Sequence, residues 1–274
     1  MRRCLAFVIA LAAAGGLAGC GSSGGAGRVP GMGRAEELYE AGHQYEQEKN
    51  LDSAAALLER AVAADSGFTP ALSEYADVQY DRGMAITDTK SPARILLLLS
   101  SRGALGRLET LTAADAGVYD RLCELSVALG DSRSFLFYAR KSAGKFPYER
   151  QYYNLGVALY QTGDYHGAVK AMKEAIDKFA ASTYTGGFYR EEGLAYMKLD
   201  RDQTATRTFE SGVAAVDNLL KGMKQADPAA PEVRRLSDDR TGMLLSLRKL
   251  YTTYQDQENL ERVEKLLRQS GNLK

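Results

Sequence analysis

The residues that could do acid–base, nucleophilic or metal chemistry are few in this sequence. It has two histidines, His43 and His166, and three cysteines, Cys4, Cys20 and Cys123. The histidines lie far apart, and no pattern of carboxylates would place both in one metal site, so each is expected on the surface. The motifs H-E-x-x-H and C-x-x-C are absent. The sequence therefore predicts a protein that is not an enzyme, with no cofactor and no metal site.

Cys20 stands where a thiol could serve as the nucleophile of a processing reaction. Two arginines precede an uninterrupted apolar run at 5–14, which leads to the tetrapeptide Leu17-Ala18-Gly19-Cys20. The run is typical of a secretory signal peptide and is too short to span a membrane. The tetrapeptide resembles the lipobox of bacterial lipoproteins. This resemblance implies removal of a signal peptide at 1–19 and attachment of lipid to Cys20, whose soft sulfur is suited to alkylation.

The residues after Cys20 predict a flexible tether and indicate to which membrane the protein is sorted. Residue 21 is Gly21 and not aspartate. By resemblance to enterobacterial lipoproteins, this implies sorting to the outer membrane, with the body facing the periplasm. Residues 20–33 are rich in Gly and Ser, so we expect a flexible lipidated tether with an r.m.s. span of about 20 Å. Cys123 lies in an apolar helical pattern and is expected to be buried.

A spacing of small and large residues recurs along the rest of the chain. Gly42, Gly156 and Gly193 are each followed by an alanine twelve positions later and by a large apolar residue at sixteen. These later residues are Ala54 and Leu58, Ala168 and Met172, and Ala205 and Phe209. The small residues would let the first helix of a pair approach the second, and the large ones would fill the space toward the next pair. This spacing resembles the tetratricopeptide repeat, a helix–turn–helix unit of 34 residues.

The resemblance implies an all-α, right-handed superhelical solenoid of about six helix pairs. Weaker copies begin around Ala76, with Gly83 at its turn, and around Cys123, while Gly103 to Ala114 is expected to form a short additional helix. The repeats are predicted to occupy 34–226. Residues 227–274 are predicted to form a degenerate repeat or a capping helix pair centred on Tyr251.

In such stacks the first helices line a concave face, and the repeat offsets predict which side chains point into it. Acidic residues prevail in the N-terminal half, and basic and aromatic residues prevail in the C-terminal half. The early positions are Tyr39, His43, Glu46, Gln47, Asp77, Tyr80, Asp81, Asp120 and Glu124. Of the later positions, four are predicted to hold an acidic or C-terminal segment of a partner: Tyr153, Tyr160, Arg190 and Lys198.

Charge balance narrows the class of partner. The chain has 35 Lys and Arg residues against 35 Asp and Glu, so it lacks the basic excess that a nucleic-acid-binding protein needs. The favoured hypothesis is a membrane-anchored envelope scaffold whose concave face binds other envelope proteins or peptides. The alternative is a periplasmic carrier of small ligands, or an accessory subunit of a transporter, with a hydrophobic pore. An open polar groove would favour the scaffold, and a closed apolar tunnel would favour the carrier.

Overall fold

The computed structural model describes residues 32–111 and 114–270, and in these ranges every regular element is a helix. The predicted signal peptide, Cys20 and the tether up to residue 31 lie outside the described residues. The twelve helices of the described part are α1 Met32–Gln47, α2 Leu51–Ala64, α3 Thr69–Ala85, α4 Pro92–Leu111, α5 Ala116–Ala128, α6 Ser132–Lys145, α7 Glu149–Gln161, α8 Tyr165–Lys178, α9 Thr185–Lys198, α10 Asp202–Ala226, α11 Pro231–Thr253 and α12 Gln257–Gln269.

Consecutive helices pack against each other along the whole series, and each pair also packs against the next. Odd-numbered helices are the first members of their pairs and even-numbered helices the second. First helices also contact one another, as α7 and α9 do, and α9 and α11. The prediction of an all-α solenoid of six helix pairs is confirmed. Among the helices of the described residues, none combines the length and apolar composition needed to cross a membrane.

Five of the six turns inside the pairs follow one local rule, and the turn between α3 and α4 is the exception. A residue with positive φ ends the first helix, as Gly163 does at 86° and Lys49 at 62°. The next residue is an Asn or Asp in four of five such turns, and its side chain accepts a hydrogen bond from the backbone N–H three positions on. These capping residues are Asn50, Asp131, Asp164 and Asp256. Both signals are local, so a turn of this kind can be recognised from neighbouring residues alone.

Small residues allow the two helices of a pair to pack closely against each other. Ala54, Ala168 and Ala205 are completely buried, as the repeat spacing predicts. A Cβ added to Gly193 would lie 2.3 Å from the Phe209 ring. Leu58 lies in the same way against Gly42, and Met172 against Gly156. Each large residue thus covers the glycine of its own pair. It also packs toward the next pair, as expected, because Leu58 shares a cluster with Val78, Met172 with Phe188, and Phe209 with Met243.

Two predictions about the second pair are wrong. Gly83 is not in a turn but inside α3, where a Cβ would lie 2.9 Å from Leu98. Residues from Gly103 to Leu111 form no separate helix, because they continue α4. The buried side chains of α4 keep helical spacing through this region, at Leu98, Leu105 and Leu108. Burial of that stripe outweighs the cost of about 1 kcal/mol for a glycine inside a helix.

The last two pairs share one apolar cluster. It contains Phe209 and Val216 of α10 together with Leu236 and Met243 of α11. The segment between α10 and α11 therefore connects two helices that are packed on each other. Cys123 is 2% exposed, as expected, and burial raises the pKa of its thiol to about 12.

Candidate partner-binding groove

The first four odd-numbered helices enclose a groove of about 570 Å³, here called the N-terminal groove. Its polar lining comes from α1, α3, α5 and α7, with Ser101 contributed by α4. Side chains of the lining keep substantial contact with solvent, since Glu124 is 43% exposed and Arg150 is 42% exposed. The predicted concave positions found in this groove are His43, Glu46, Asp77, Tyr80, Asp81, Asp120 and Glu124.

Negative charge prevails in the N-terminal groove. Its two cationic side chains are Arg121 and Arg150, so six carboxylates against two guanidinium groups leave a net charge of −4 when His43 is neutral. The six carboxylates belong to Glu46, Glu74, Asp77, Asp81, Asp120 and Glu124. Because these charges converge on one concave surface, their combined field acts on a ligand more strongly than the same charges spread over an open surface.

The arginines join neighbouring pairs across the groove. Arg121 of α5 is paired with Asp77 of α3. Arg150 of α7 lies 3.4 Å from Asp120 and is also paired with Glu124, both on α5. Asp81 is exposed and forms no ion pair with the described residues. Burial raises the pKa of Asp120, although the charge of Arg150 acts in the opposite direction.

His43 lies at one end of the groove with two carboxylates. Its Nδ1 is 3.0 Å from Glu74 Oε2, and its Nε2 is 2.8 Å from the Gln47 amide. Ligand atoms of His43, Glu46 and Glu74 all lie within 4.8 Å of one another, so these three residues could hold a divalent cation. Without a metal ion, hydrogen bonds of the His43 ring to Glu74 and Gln47 account for these contacts. Sequence reasoning missed this cluster, since Glu74 reaches His43 only through the packing of α3 on α1.

A smaller apolar pocket of about 260 Å³ adjoins the N-terminal groove. The two share Tyr80 and Glu124 as lining residues. Met84 and Val127 are 42% and 52% exposed there, so the pocket presents apolar side chains to solvent. The concave face of this half is therefore acidic at one end and apolar at the other.

The structure brings two of the four predicted partner-binding residues together in a second pocket of about 340 Å³, here called the C-terminal pocket. Arg190 donates a hydrogen bond of 3.2 Å to the Tyr153 hydroxyl. The same guanidinium is 2.7 Å from Asp239 of α11 and 2.9 Å from Glu191. Arg190 is therefore neutralised within the fold, which sequence reasoning did not anticipate.

Burial affects both neighbours of Arg190. It raises the pKa of Tyr153 to about 12, and the nearby charge of Glu191 acts in the same direction. Burial also raises the pKa of Asp239 to about 6, although Arg190 opposes that change. Gly187 permits the approach, because a Cβ there would lie 2.7 Å from the Tyr153 ring.

The other two predicted residues lie outside that contact. Tyr160 is half-buried, with its ring 5.4 Å from the ring of Tyr165. Lys198 is exposed at the end of α9. A role of these four residues in binding stays a prediction. A carboxylate of a partner would have to displace Asp239 from Arg190 in order to bind it.

Comparisons with known proteins agree with the geometry of the helix pairs. Residues 150–177, which span α7 and most of α8, match the tetratricopeptide repeat family. This helix pair therefore has the sequence pattern of a tetratricopeptide repeat (TPR). No curated protein matches the chain in sequence.

Several solved structures share the TPR-type solenoid. A crystal structure of MamA is 18% identical, covers 69% of this chain and 96% of its own, and has a TM-score of 0.57. YrrB, described as a TPR protein with an unusual peptide-binding site, is 12% identical, covers 66% and 86%, and has a TM-score of 0.54. PilF of Pseudomonas aeruginosa is 13% identical, covers 87% and 93%, and has a TM-score of 0.52. At these identities the similarity establishes the fold.

Some groove residues of this TPR-type solenoid were missed by the sequence analysis. Glu74 precedes Asp77 by three positions, so the two lie on one face of α3 and helical spacing could have found Glu74. Arg121 and Arg150 fell outside the predicted offsets, and their positions became evident only from their ion pairs with carboxylates of the preceding helix pair.

Proposed function

We propose that this protein is a lipid-anchored scaffold of the bacterial cell envelope, which catalyses no reaction and binds a segment of another protein in its concave face. The observation that carries the proposal is the solvent-accessible N-terminal groove, built from four successive first helices and lined by charged side chains. YrrB, which is similar in fold, is described as having a peptide-binding site. A groove of this kind offers charged groups and ordered walls that can fix an extended segment.

The lining of the groove favours a protein segment over a small apolar ligand. A hydrophobic pore would need an apolar lining along its length, and six carboxylates lie in the N-terminal groove. Placing an apolar ligand against these carboxylates costs desolvation free energy with no compensating hydrogen bond. The scaffold is therefore the better supported of the two hypotheses.

The anchor is tested at Cys20. We expect Cys20→Ser to abolish labelling by radioactive palmitate and to move the protein from the membrane fraction to the soluble fraction, because a serine hydroxyl is not alkylated in place of the thiol. Several acyl chains hold a protein on a bilayer almost irreversibly, so the shift is expected to be nearly complete. Cys123→Ala is the matched control and keeps the label, since Cys123 is buried. Membrane retention and labelling of the Cys20→Ser protein would contradict the anchor.

Partner binding is tested by site-specific photo-crosslinking in intact cells. A photoreactive phenylalanine analogue placed at Asp81, in the N-terminal groove, is expected to give discrete adducts with one or a few proteins. The same analogue at Tyr160 tests the predicted C-terminal residues. Glu59, exposed on the second helix α2, is the control position and is expected to give none. Equal adducts from Glu59 and Asp81, or none from either groove position, would remove the proposal.

A further inference from the structure

The N-terminal groove and the apolar pocket beside it are together called the composite groove here. Tyr80 and Glu124 line both parts, so the two parts adjoin at these side chains. A ligand that is long enough can contact both parts at once. The chemistry of the two parts together restricts the occupant more than either part alone.

The acidic part requires positive charge. Its net charge of −4 remains after Arg121 and Arg150 have paired with their carboxylates. Asp81 has no cationic partner among the described residues. Burial raises the pKa of Asp120 even with Arg150 beside it, and the charges of Glu124 and Asp115 raise it further. A cation placed here would relieve repulsion among the carboxylates.

The apolar part requires a side chain that can be removed from water. Met84 and Val127 are exposed on its rim, and the buried ring of Phe135 forms part of its lining. Burying exposed apolar surface contributes about 25 cal/mol per Å². Methionine adapts its shape, so Met84 can accept aliphatic side chains of different lengths. A purely cationic ligand such as a polyamine would leave this surface exposed.

Two side chains of α5 give the length over which a ligand would contact both parts. Asp120 and Val127 stand seven positions apart on α5. At 1.5 Å per residue they are about 10 Å apart along the helix, which an extended chain crosses in about three residues.

We propose that the composite groove binds an extended segment of a partner protein in which two or more Lys or Arg residues stand about three positions from a Leu, Ile, Val or Met. This inference rests on the proposed function and names the chemistry of the partner. It assigns the acidic half of the concave face to a basic segment, whereas the sequence pattern indicated an acidic or C-terminal segment for the other half.

The test is selection of peptides from a random heptapeptide library displayed on phage, using the full lipidated chain in detergent. The expected result is enrichment of Lys or Arg with an aliphatic residue about three positions away. Glu46→Gln combined with Asp81→Asn removes two carboxylates that form no ion pair across the groove, so folding is expected to be retained. Affinity for the selected peptides is then expected to fall about tenfold.

Matched variants test the contribution of each part of the groove separately. Met84→Gln combined with Val127→Thr keeps side-chain size and is expected to abolish the preference for the aliphatic residue while basic residues are still selected. Glu258→Gln combined with Glu261→Gln removes the same charge from exposed positions of α12 and is expected to leave affinity unchanged. Circular dichroism of each variant verifies that the helices are intact.

Several outcomes would overturn the inference. Selection of acidic peptides, failure to select any peptide, or unchanged affinity in the carboxylate variant would each do so. Spermidine displacing the peptides with equal affinity, together with no aliphatic preference, would assign the groove to small cations instead. If crosslinks at Asp81 persist while the selected peptides lack the basic–aliphatic pattern, the scaffold function stands and only the inference fails. Absence of both crosslinks and peptides would remove both.

Discussion

Gly193→Ala is expected to destabilise the protein by about 3 kcal/mol, the upper end for over-packing a core. The new Cβ would lie 2.3 Å from one carbon of the Phe209 ring and 2.6 Å from another. Phe209 is completely buried, so its ring cannot move aside without displacing other side chains of the cluster shared by α10 and α11. Thermal unfolding followed by circular dichroism is expected to show a midpoint lower by about 6–12 °C.

Two other glycines supply the controls for Gly193→Ala. Gly103 lies inside α4, and a Cβ there would meet nothing within 4 Å. Gly103→Ala is therefore expected to raise stability by about 0.5–1 kcal/mol, because alanine is the better helix former. At Gly156 the new Cβ would meet the flexible end of Met172, so Gly156→Ala is expected to cost less than Gly193→Ala. Equal stabilities of the Gly193 and Gly103 variants would refute the packing argument.

Glu192→Gln is expected to stabilise the protein by up to about 3 kcal/mol at pH 8 and to have almost no effect at pH 4. Glu192 is 6% exposed, and burial is the main cause that raises its pKa from 4.5 to about 7. The Tyr196 hydroxyl and the charge of Lys173 lower that pKa, and the charge of Asp177 raises it further. Glutamine keeps the shape of the side chain and an oxygen for Tyr196 while it removes the buried charge.

The sign of the pH effect follows from proton binding. Between pH 4.5 and about 7 the folded chain keeps a proton on Glu192 that the unfolded chain has released. Its stability therefore falls as the pH rises through this window, and the loss is complete above about pH 7. Asp239, with its pKa raised to about 6, also makes stability fall as the pH rises. Asp239 is unchanged in Glu192→Gln, so that variant keeps part of the pH dependence.

Chemical denaturation at several pH values between 4 and 8 measures the effect. The wild-type protein is expected to lose stability across this range, and Glu192→Gln is expected to lose distinctly less. Glu258→Gln, an exposed glutamate on α12, is the control and is expected to follow the wild-type curve. Parallel curves for the wild-type and Glu192→Gln proteins would show that the buried carboxyl carries no such penalty.

Local interactions account for most of what could be predicted before the structure was known. The turn at Gly163 and Asp164 depends on one residue with positive φ and one cap, and both are properties of neighbouring residues. The burial of Ala54, Ala168 and Ala205 follows from a spacing that repeats along the chain. Where the spacing was altered, at Gly83 and at 103–111, the prediction failed, because α3 continues through Gly83 and α4 continues to Leu111.

The sequence by itself determined the class of the fold, the small-to-large packing inside each helix pair and most of the acidic residues on the concave face. Tertiary structure alone decided how those charges are used. Arg190 is committed to Asp239, 49 positions later in the chain, while Asp81 has no cationic partner among the described residues. Helix formation and pair packing depend on nearby residues, whereas the ion pairs depend on the angles at which successive helix pairs stack. Those angles result from side-chain packing over the whole solenoid, so no local pattern encodes which charges remain free for a partner.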